Sequence, residues 1–292
     1  MILNTDVRAF MKELWGRGLL GPDCEAFPNT NGTTDGRIYI LSENNVKRYV
    51  LKLDHPQEIA LAEQFLHRYR EVLLLPDLLY THPDKTYMVY TFIPGTTHYD
   101  RGLKINWLAR LVTGMLNHYT VVEQGSSWGR IDIPHPSWKQ FNEQSIREAR
   151  MNVSSLLSEA DYELVQSLVY RLWQDERGMK RYLLHGDTGV HNFVFDRGEL
   201  QAIIDPSPIE GPVSYDFLYA FCSSPDDLNI ETLLAGYEFL KNESMDLMRL
   251  TQEVLVQLYC RIGICLRHHP HDLAGYLQAW SYWREQLREQ SR

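Results

Sequence analysis

Apolar side chains recur at helical spacing over residues 5–18, where Val7, Phe10, Met11, Leu14 and Trp15 share one face. The period then shortens. Arg37–Ser42 and Arg48–Leu53 are rich in β-formers and flank Glu43-Asn44-Asn45, which suits a tight hairpin turn. Helical spacing returns over 57–70, with Ile59, Ala62, Leu66 and Tyr69 on one face, and strand-like segments follow around Leu78–Tyr80 and Tyr87–Tyr90. Phe92-Ile93-Pro94-Gly95 breaks the pattern. Beyond it, Trp107–Val122 reads as an apolar-faced helix. Ser158-x-x-Asp161 reads as a capping box that opens another, with Leu164, Val165, Leu168, Val169, Leu172 and Trp173 along its stripe. Residues 231–241, 245–267 and 272–288 also carry the helical period. One short hairpin interrupts, pairing Asn192–Phe195 with Leu200–Ile204 across Asp196-Arg197-Gly198. The pattern predicts an α+β fold in two lobes, a small β-rich one over 1–94 and a larger helical one over 95–292.

Composition narrows the class. The chain has 292 residues, 44% hydrophobic and 23% charged, with a formal net charge of −9. That is globular, long enough to bury a large core, and unlike a disordered, collagenous or coiled-coil chain. A diffuse negative field disfavours nucleic acid and anionic membrane surfaces as partners. No apolar run approaches a membrane span, and the N-terminus lacks the pattern of a signal peptide. Cys24, Cys222, Cys260 and Cys265 lack metal-type spacing, and the last two lie in an apolar helical stretch as buried thiols. A reducing, cytoplasmic setting is the expectation.

The chemistry concentrates in Leu184-His185-Gly186-Asp187, Asn192 five residues later, and Ile203-Ile204-Asp205 at the far end of the hairpin. A loop displays Asp187, while the two strands bring Asn192 and Asp205 out near each other. Two oxygen ligands beside a third carboxylate suit Mg²⁺, a hard cation that also takes phosphate oxygens. Each residue alone could instead serve a turn, as Asx residues commonly do; the three together at this spacing favour a site.

His-Gly-Asp-x-x-x-x-Asn plus Ile-Asp resembles the aminoglycoside phosphotransferase/choline kinase family, relatives of the protein kinases. Further segments fit in order: Tyr49-Val-Leu-Lys52-Leu53, Ser127-Trp-Gly-Arg130, His135-Pro-Ser-Trp138 and Gly211-Pro-Val-Ser-Tyr-Asp216. The resemblance spans about residues 24–225. It implies a bilobal protein-kinase-like fold and transfer of a γ-phosphoryl group from ATP or GTP, with Mg²⁺, to a hydroxyl of a small molecule. It makes Asp187 the hydroxyl-orienting base, Asn192 and Asp205 the metal ligands, and Lys52 a phosphate contact. A glutamate on the 57–70 helix should steady Lys52, Glu63 in preference to Glu58. The linker implies adenine contacts through the Thr91 carbonyl and the Ile93 N–H. Gly32, in the loop Asn29–Gly36 between the first two strands, falls where the family covers the phosphates. Gly32-Thr-Thr-Asp-Gly36 departs from the Gly-x-Gly-x-x-Gly of protein kinases, and a plain hairpin turn is nearly as good a reading there.

His185 and Asp216 read as loop-ordering residues. Arg267-His-His-Pro-His271 reads as a basic helix end and not a metal site. Gly189 and Asp205-Pro206-Ser207 depart from protein-kinase motifs, so a small-molecule acceptor is expected. A catalytically silent nucleotide-binding protein is the alternative. The negative charge leaves room for a cationic acceptor. Asp226, Asp227 and Asp272 could line a pocket for aminoglycosides, and Tyr276, Trp280, Tyr282 and Trp283 could cage a choline-like group, although core packing explains these aromatics as well.

Overall fold

The computed structural model describes residues 7–29, 38–97, 99–123, 127–153 and 156–292. The chain divides into two compact units. The first runs to Arg70 and resumes from Leu75 to Pro94; the second takes Glu71–Leu74 and everything from Gly95.

In the first unit, α1 (Val7–Gly16) and β1 (Glu25–Pro28) lead to β2 (Ile38–Glu43), β3 (Val46–Leu53), α2 (Pro56–Arg68), β4 (Leu78–Thr81) and β5 (Tyr87–Thr91). The strands form an antiparallel sheet in the order β1-β2-β3-β5-β4. Asn44 and Asn45 both take positive φ (51° and 63°), the geometry of a two-residue turn that matches strand twist. Alternation along β3 sorts the two faces. Leu51 and Leu53 pack with Tyr87, Val89 and the α1 residues Met11 and Leu14, whereas Val50 packs with Met88, Tyr90 and the α2 residues Ile59 and Ala62. Glu13 ties α1 to the sheet, accepting from the hydroxyls of Tyr87 (2.8 Å) and Tyr80 (3.1 Å).

The second unit begins with β6 (Thr96–Thr97), α3 (Lys104–Gly114), β7 (Gly129–Arg130), α4 (Trp138–Val153) and α5 (Glu159–Leu172). Then come β8 (Tyr182–Leu184), β9 (Phe193–Asp196), β10 (Glu199–Ile203), β11 (Ile209–Gly211), α6 (Val213–Phe221), α7 (Ile230–Tyr237), α8 (Leu247–His268) and α9 (Leu273–Gln290). The β9–β10 hairpin turns at Arg197-Gly198, again with both φ positive, and β6 pairs with its outer edge. A second three-stranded sheet has the order β7-β11-β8. Leu74 belongs here because its carbonyl accepts from the Ile203 N–H at 2.7 Å, beside β10. Helix α8 is the core of the helical layer, burying Val254, Leu255, Leu258 and Ile262. At its crossing with α4 a Cβ on Gly263 would stand 2.9 Å from the Ala149 Cα, so glycine permits the close approach.

The short strands β6, β7, β8 and β11 carry no period of their own, and two helical segments differ from the pattern. The helix expected over Trp107–Val122 stops at Gly114; a 3₁₀ turn at Leu116–His118 follows, and Val121 bridges to Tyr182. There the Asn117 side chain donates to the Phe239 carbonyl and accepts from the Lys241 N–H, so the segment bonds across the fold and not along itself. Helix α4 has no clear signal in the pattern, because its buried stripe (Phe141, Ile146, Ala149, Val153) runs through a mostly polar sequence. The capping box at Ser158 and Asp161 is formed in both directions.

Asp161 does more than cap. It also receives Arg284 Nη1 at 2.5 Å and Trp280 Nε1 at 3.2 Å, joining α5 to α9. Burial alone would raise its pKa; the bonds from Ser158 and the charge of Arg284 overcome this and hold it below its ordinary value. Asp161→Ala should therefore destabilise this unit by about 2–4 kcal/mol, and Ser158→Ala by about 1 kcal/mol. Urea unfolding followed by tryptophan fluorescence measures both, and equal losses would reduce Asp161 to a cap.

Candidate active site

The His185-Gly186-Asp187 segment leaves β8 as a loop built around one buried carboxylate. Asp216, on the first turns of α6, accepts from the His185 N–H (2.9 Å), the Gly186 N–H (3.1 Å) and the Tyr119 hydroxyl (2.7 Å). Thr188 Oγ1 donates to the Asp216 carbonyl at 2.7 Å. Complete burial raises the Asp216 pKa to about 7, and those hydrogen bonds oppose the rise. Gly186 has φ +80°, and a Cβ there would meet the Ser207 carbonyl oxygen at 2.0 Å. Ser207 in turn donates its N–H to the His185 carbonyl at 2.9 Å. The Gly of the motif is thus demanded by backbone packing.

His185 is fully buried. Its Nδ1 accepts from the Asp187 N–H (3.3 Å), which makes Nε2 the donor to the Ile204 carbonyl at 3.1 Å. The ring spans the loop and the end of the hairpin, the ordering role expected for it. Burial drives its pKa down to about 4.

Asp187 is held by its neighbours. Its Oδ2 meets His191 Nε2 at 3.1 Å and accepts from Asn192 Nδ2 at 3.0 Å. Asn192 Nδ2 also reaches the Asp187 carbonyl at 3.0 Å. Burial would raise the Asp187 pKa; the His191 ring, then His185 and the neighbouring Tyr219 hydroxyl, reverse this and hold it at about 2. Its Oδ1 is buried and has no hydrogen-bond partner among the described residues. Because Nδ2 of Asn192 is committed to Asp187, its Oδ1 is the end left for another ligand, and it accepts from no described residue. The Ile204 N–H donates to the Asn192 carbonyl at 2.9 Å, which places Asp205 one residue from Asn192 across the hairpin. Asp205 is exposed and takes φ +59°, a left-handed turn that aspartate tolerates.

In the first unit, Lys52 lies on the α2 face of the central strand β3, between Ile38 and Met88, with 8% exposure. A lysine so buried has lost most of its contact with water. Its Nζ stands 3.5 Å from Asp54 Oδ2. The pair expected with Glu63 is not formed. Glu63 meets Lys85 at 2.5 Å and His67 at 3.9 Å, because the turn before β5 brings Lys85 over α2. Thr91 donates its N–H to the Asp77 carbonyl (3.0 Å), and Phe92 donates to the Arg48 carbonyl (2.8 Å). The Ile93 N–H has no partner among the described residues. Gly32 lies outside the described residues.

Asp226 and Asp272 line one cavity of about 320 Å³ together with Arg101 and Arg261, so its carboxylates do not stand alone. Asp226 pairs with Arg101 at 2.7 Å, and Asp272 lies beside His271. Tyr276, Trp280 and Trp283 are buried in the core, and the Tyr282 hydroxyl accepts from the Ile230 N–H. No group of three or more His, Cys, Asp or Glu side chains suited to a metal occurs among the described residues. His191, Tyr119 and Tyr219 are the residues that reading the sequence missed. His191 had a signal, standing four residues after Asp187; Tyr119 lies 97 positions from Asp216 and had none.

Comparison with known proteins places the fold and the family. The chain matches solved structures of the protein-kinase-like fold. One is a thermostable mutant of the aminoglycoside phosphotransferase APH(4)-Ia, apo form, at TM-score 0.61 and 16% identity over 95% of this chain and 97% of that one. Another is the choline kinase LicA from Streptococcus pneumoniae, at 0.60 and 13% over 98% and 100%. A third is the GDP and kanamycin complex of APH(2")-IIia, at 0.58 and 13% over 96% and 99%. No curated protein sequence matches the chain significantly. The model of the phosphotransferase enzyme family APH matches residues 28–250, and the chain belongs to that family.

The neutral, buried His185 has a consequence for stability. Its folded pKa of about 4 lies below the unfolded value, so the unfolded chain takes up the proton first as pH falls. The stability advantage of the native protein over His185→Gln should shrink by about 3 kcal/mol between pH 6.5 and pH 4. Urea titrations at several pH values measure it; a pH-independent difference would show that His185 is protonated in the folded state.

Proposed function

We propose that the protein transfers the γ-phosphoryl group of ATP or GTP to a hydroxyl of a small molecule. The observation that carries this is the Asp187 carboxylate, ionised, bound on Oδ2 by His191 and Asn192, with Oδ1 unengaged. With a pKa of about 2, Asp187 is a weak base. Its work is to orient the acceptor hydroxyl and take the proton late, which suits a loose transition state in which positioning dominates. The acceptor oxygen forms its bond to the γ-phosphorus as the bond to the β–γ bridging oxygen breaks. The electron pair leaves with the nucleoside diphosphate, and the proton passes to Asp187 and on to water.

Lys52 would steady the phosphates, and the Thr91 carbonyl with the Ile93 N–H would pair with the base. The loop carrying Gly32 would cover the phosphates. Glu63 would act on the nucleotide site only indirectly, by fixing α2. Asn192 Oδ1 and the exposed Asp205 carboxylate are hard oxygen donors and fit Mg²⁺, for which the phosphates would complete the ligand set. Bound there, Mg²⁺ supplies charge neutralisation for the phosphate oxygens. Among the described residues no helix is long and apolar enough to cross a membrane, and the four cysteines are free thiols, which fit a reducing cytoplasm.

Asp187→Asn should lower phosphoryl transfer by about 10³-fold while leaving nucleotide affinity within about 3-fold. Coupled diphosphate release and nucleotide titration measure the two, and full turnover would remove Asp187 from the mechanism. Asp205→Asn should raise the Mg²⁺ concentration needed for half-maximal activity by about 10-fold or more. An unchanged Mg²⁺ requirement would take Asp205 out of the metal site.

A further inference from the structure

Helices α4, α6 and α8 enclose a cavity of about 600 Å³, the size of a small-ligand site. Its link to the chemistry is α6: Tyr219 lines the cavity one turn after Asp216, whose carbonyl accepts from Thr188, the residue next to Asp187. Tyr215 lies one helical turn earlier on α6, its ring 5.9 Å from that of Tyr219. Asn142 and Gln257 bring amides from α4 and α8. Asn142 donates to the Trp138 carbonyl, so its Oδ1 is the end left for a ligand. The Gln257 amide and the Tyr215 hydroxyl have no hydrogen-bond partner among the described residues, although neither is fully exposed.

Charge is confined to the rim. Glu148 and Arg267 are the ionisable acid and base among the described lining residues, both are exposed, and their charges cancel. Glu148 already accepts from the Gln144 amide at 2.7 Å. An acceptor with several ammonium groups would have to leave water for a wall of neutral hydrogen-bonding groups, with one carboxylate at the mouth. A molecule rich in hydroxyls meets complementary donors and acceptors on that wall, and its apolar face meets two tyrosine rings.

We propose that this cavity takes an uncharged, polyhydroxylated acceptor of the sugar or glycoside class, with Gln257 and Tyr215 as its specificity-determining contacts. The proposal rests on the phosphotransferase reading above: one acceptor hydroxyl attacks the γ-phosphorus, the bridging oxygen departs with the diphosphate, and Asp187 receives the proton.

The test uses the full chain with Mg²⁺ and ATP or GTP. Kanamycin and choline are set against methyl glucoside, maltose, trehalose and myo-inositol, with diphosphate release and the phosphorylated product both measured. The best uncharged acceptor should exceed kanamycin and choline in kcat/KM by about 100-fold or more. Gln257→Leu should raise its KM about 10-fold with the nucleotide KM unchanged, and Glu148→Gln should change it less than about 2-fold. Preferential turnover of kanamycin or choline overturns the proposal and leaves the phosphotransferase reading standing, as does an effect of Glu148→Gln that matches Gln257→Leu. Transfer to none of the six overturns it also; if ATP and GTP are then neither bound nor hydrolysed, the phosphotransferase reading falls with it.

Discussion

One buried carboxylate organises the catalytic unit. Asp216 has no access to water, yet it receives two consecutive backbone N–H groups and a tyrosine hydroxyl. A buried polar group without partners is costly, so this arrangement ties three chain segments into one geometry. The end of β8, the start of α6 and the segment after α3 all meet there. Everything that follows His185 in the loop inherits its position from that anchor: the turn at Gly186, the direction of Asp187, and the contact of His185 with the end of the β9–β10 hairpin.

The anchor is paired with a second constraint of the opposite kind. His185 is kept neutral by burial, while Asp187 is kept charged by the ring of His191 despite burial. Two titratable groups two residues apart are thus pushed in different directions by their surroundings. The neutral imidazole serves as a strut and the charged carboxylate keeps one oxygen unengaged, a separation that environments, and not residue types, set. The cavity lined by Tyr219 extends the logic. Tyr215 and Tyr219, on the helix that carries Asp216, stand in its wall beside amides from α4 and α8.

The chain by itself determined the periodic elements: the hairpins at Asn44-Asn45 and Arg197-Gly198, the capping box at Ser158, and the change from strand to helix near Gly95. These depend on local turn chemistry and on side-chain period. It also brought Asn192, five residues on, back to Asp187, and set Asp205 just after the residue that bonds to the Asn192 carbonyl. Only the tertiary structure decided where long-range partners fall. Glu63 faces Lys85, because the rotation of α2 and the turn before β5 are set by packing over the sheet. Asp226 pairs with Arg101 in a cavity that Asp272 also lines, and the C-terminal tryptophans pack in the core. Tyr119 reaches Asp216 across 97 positions, where no local pattern can point. Spacing along the chain fixes what lies within a few residues; burial and the demand that every inner polar group find a partner settle the rest.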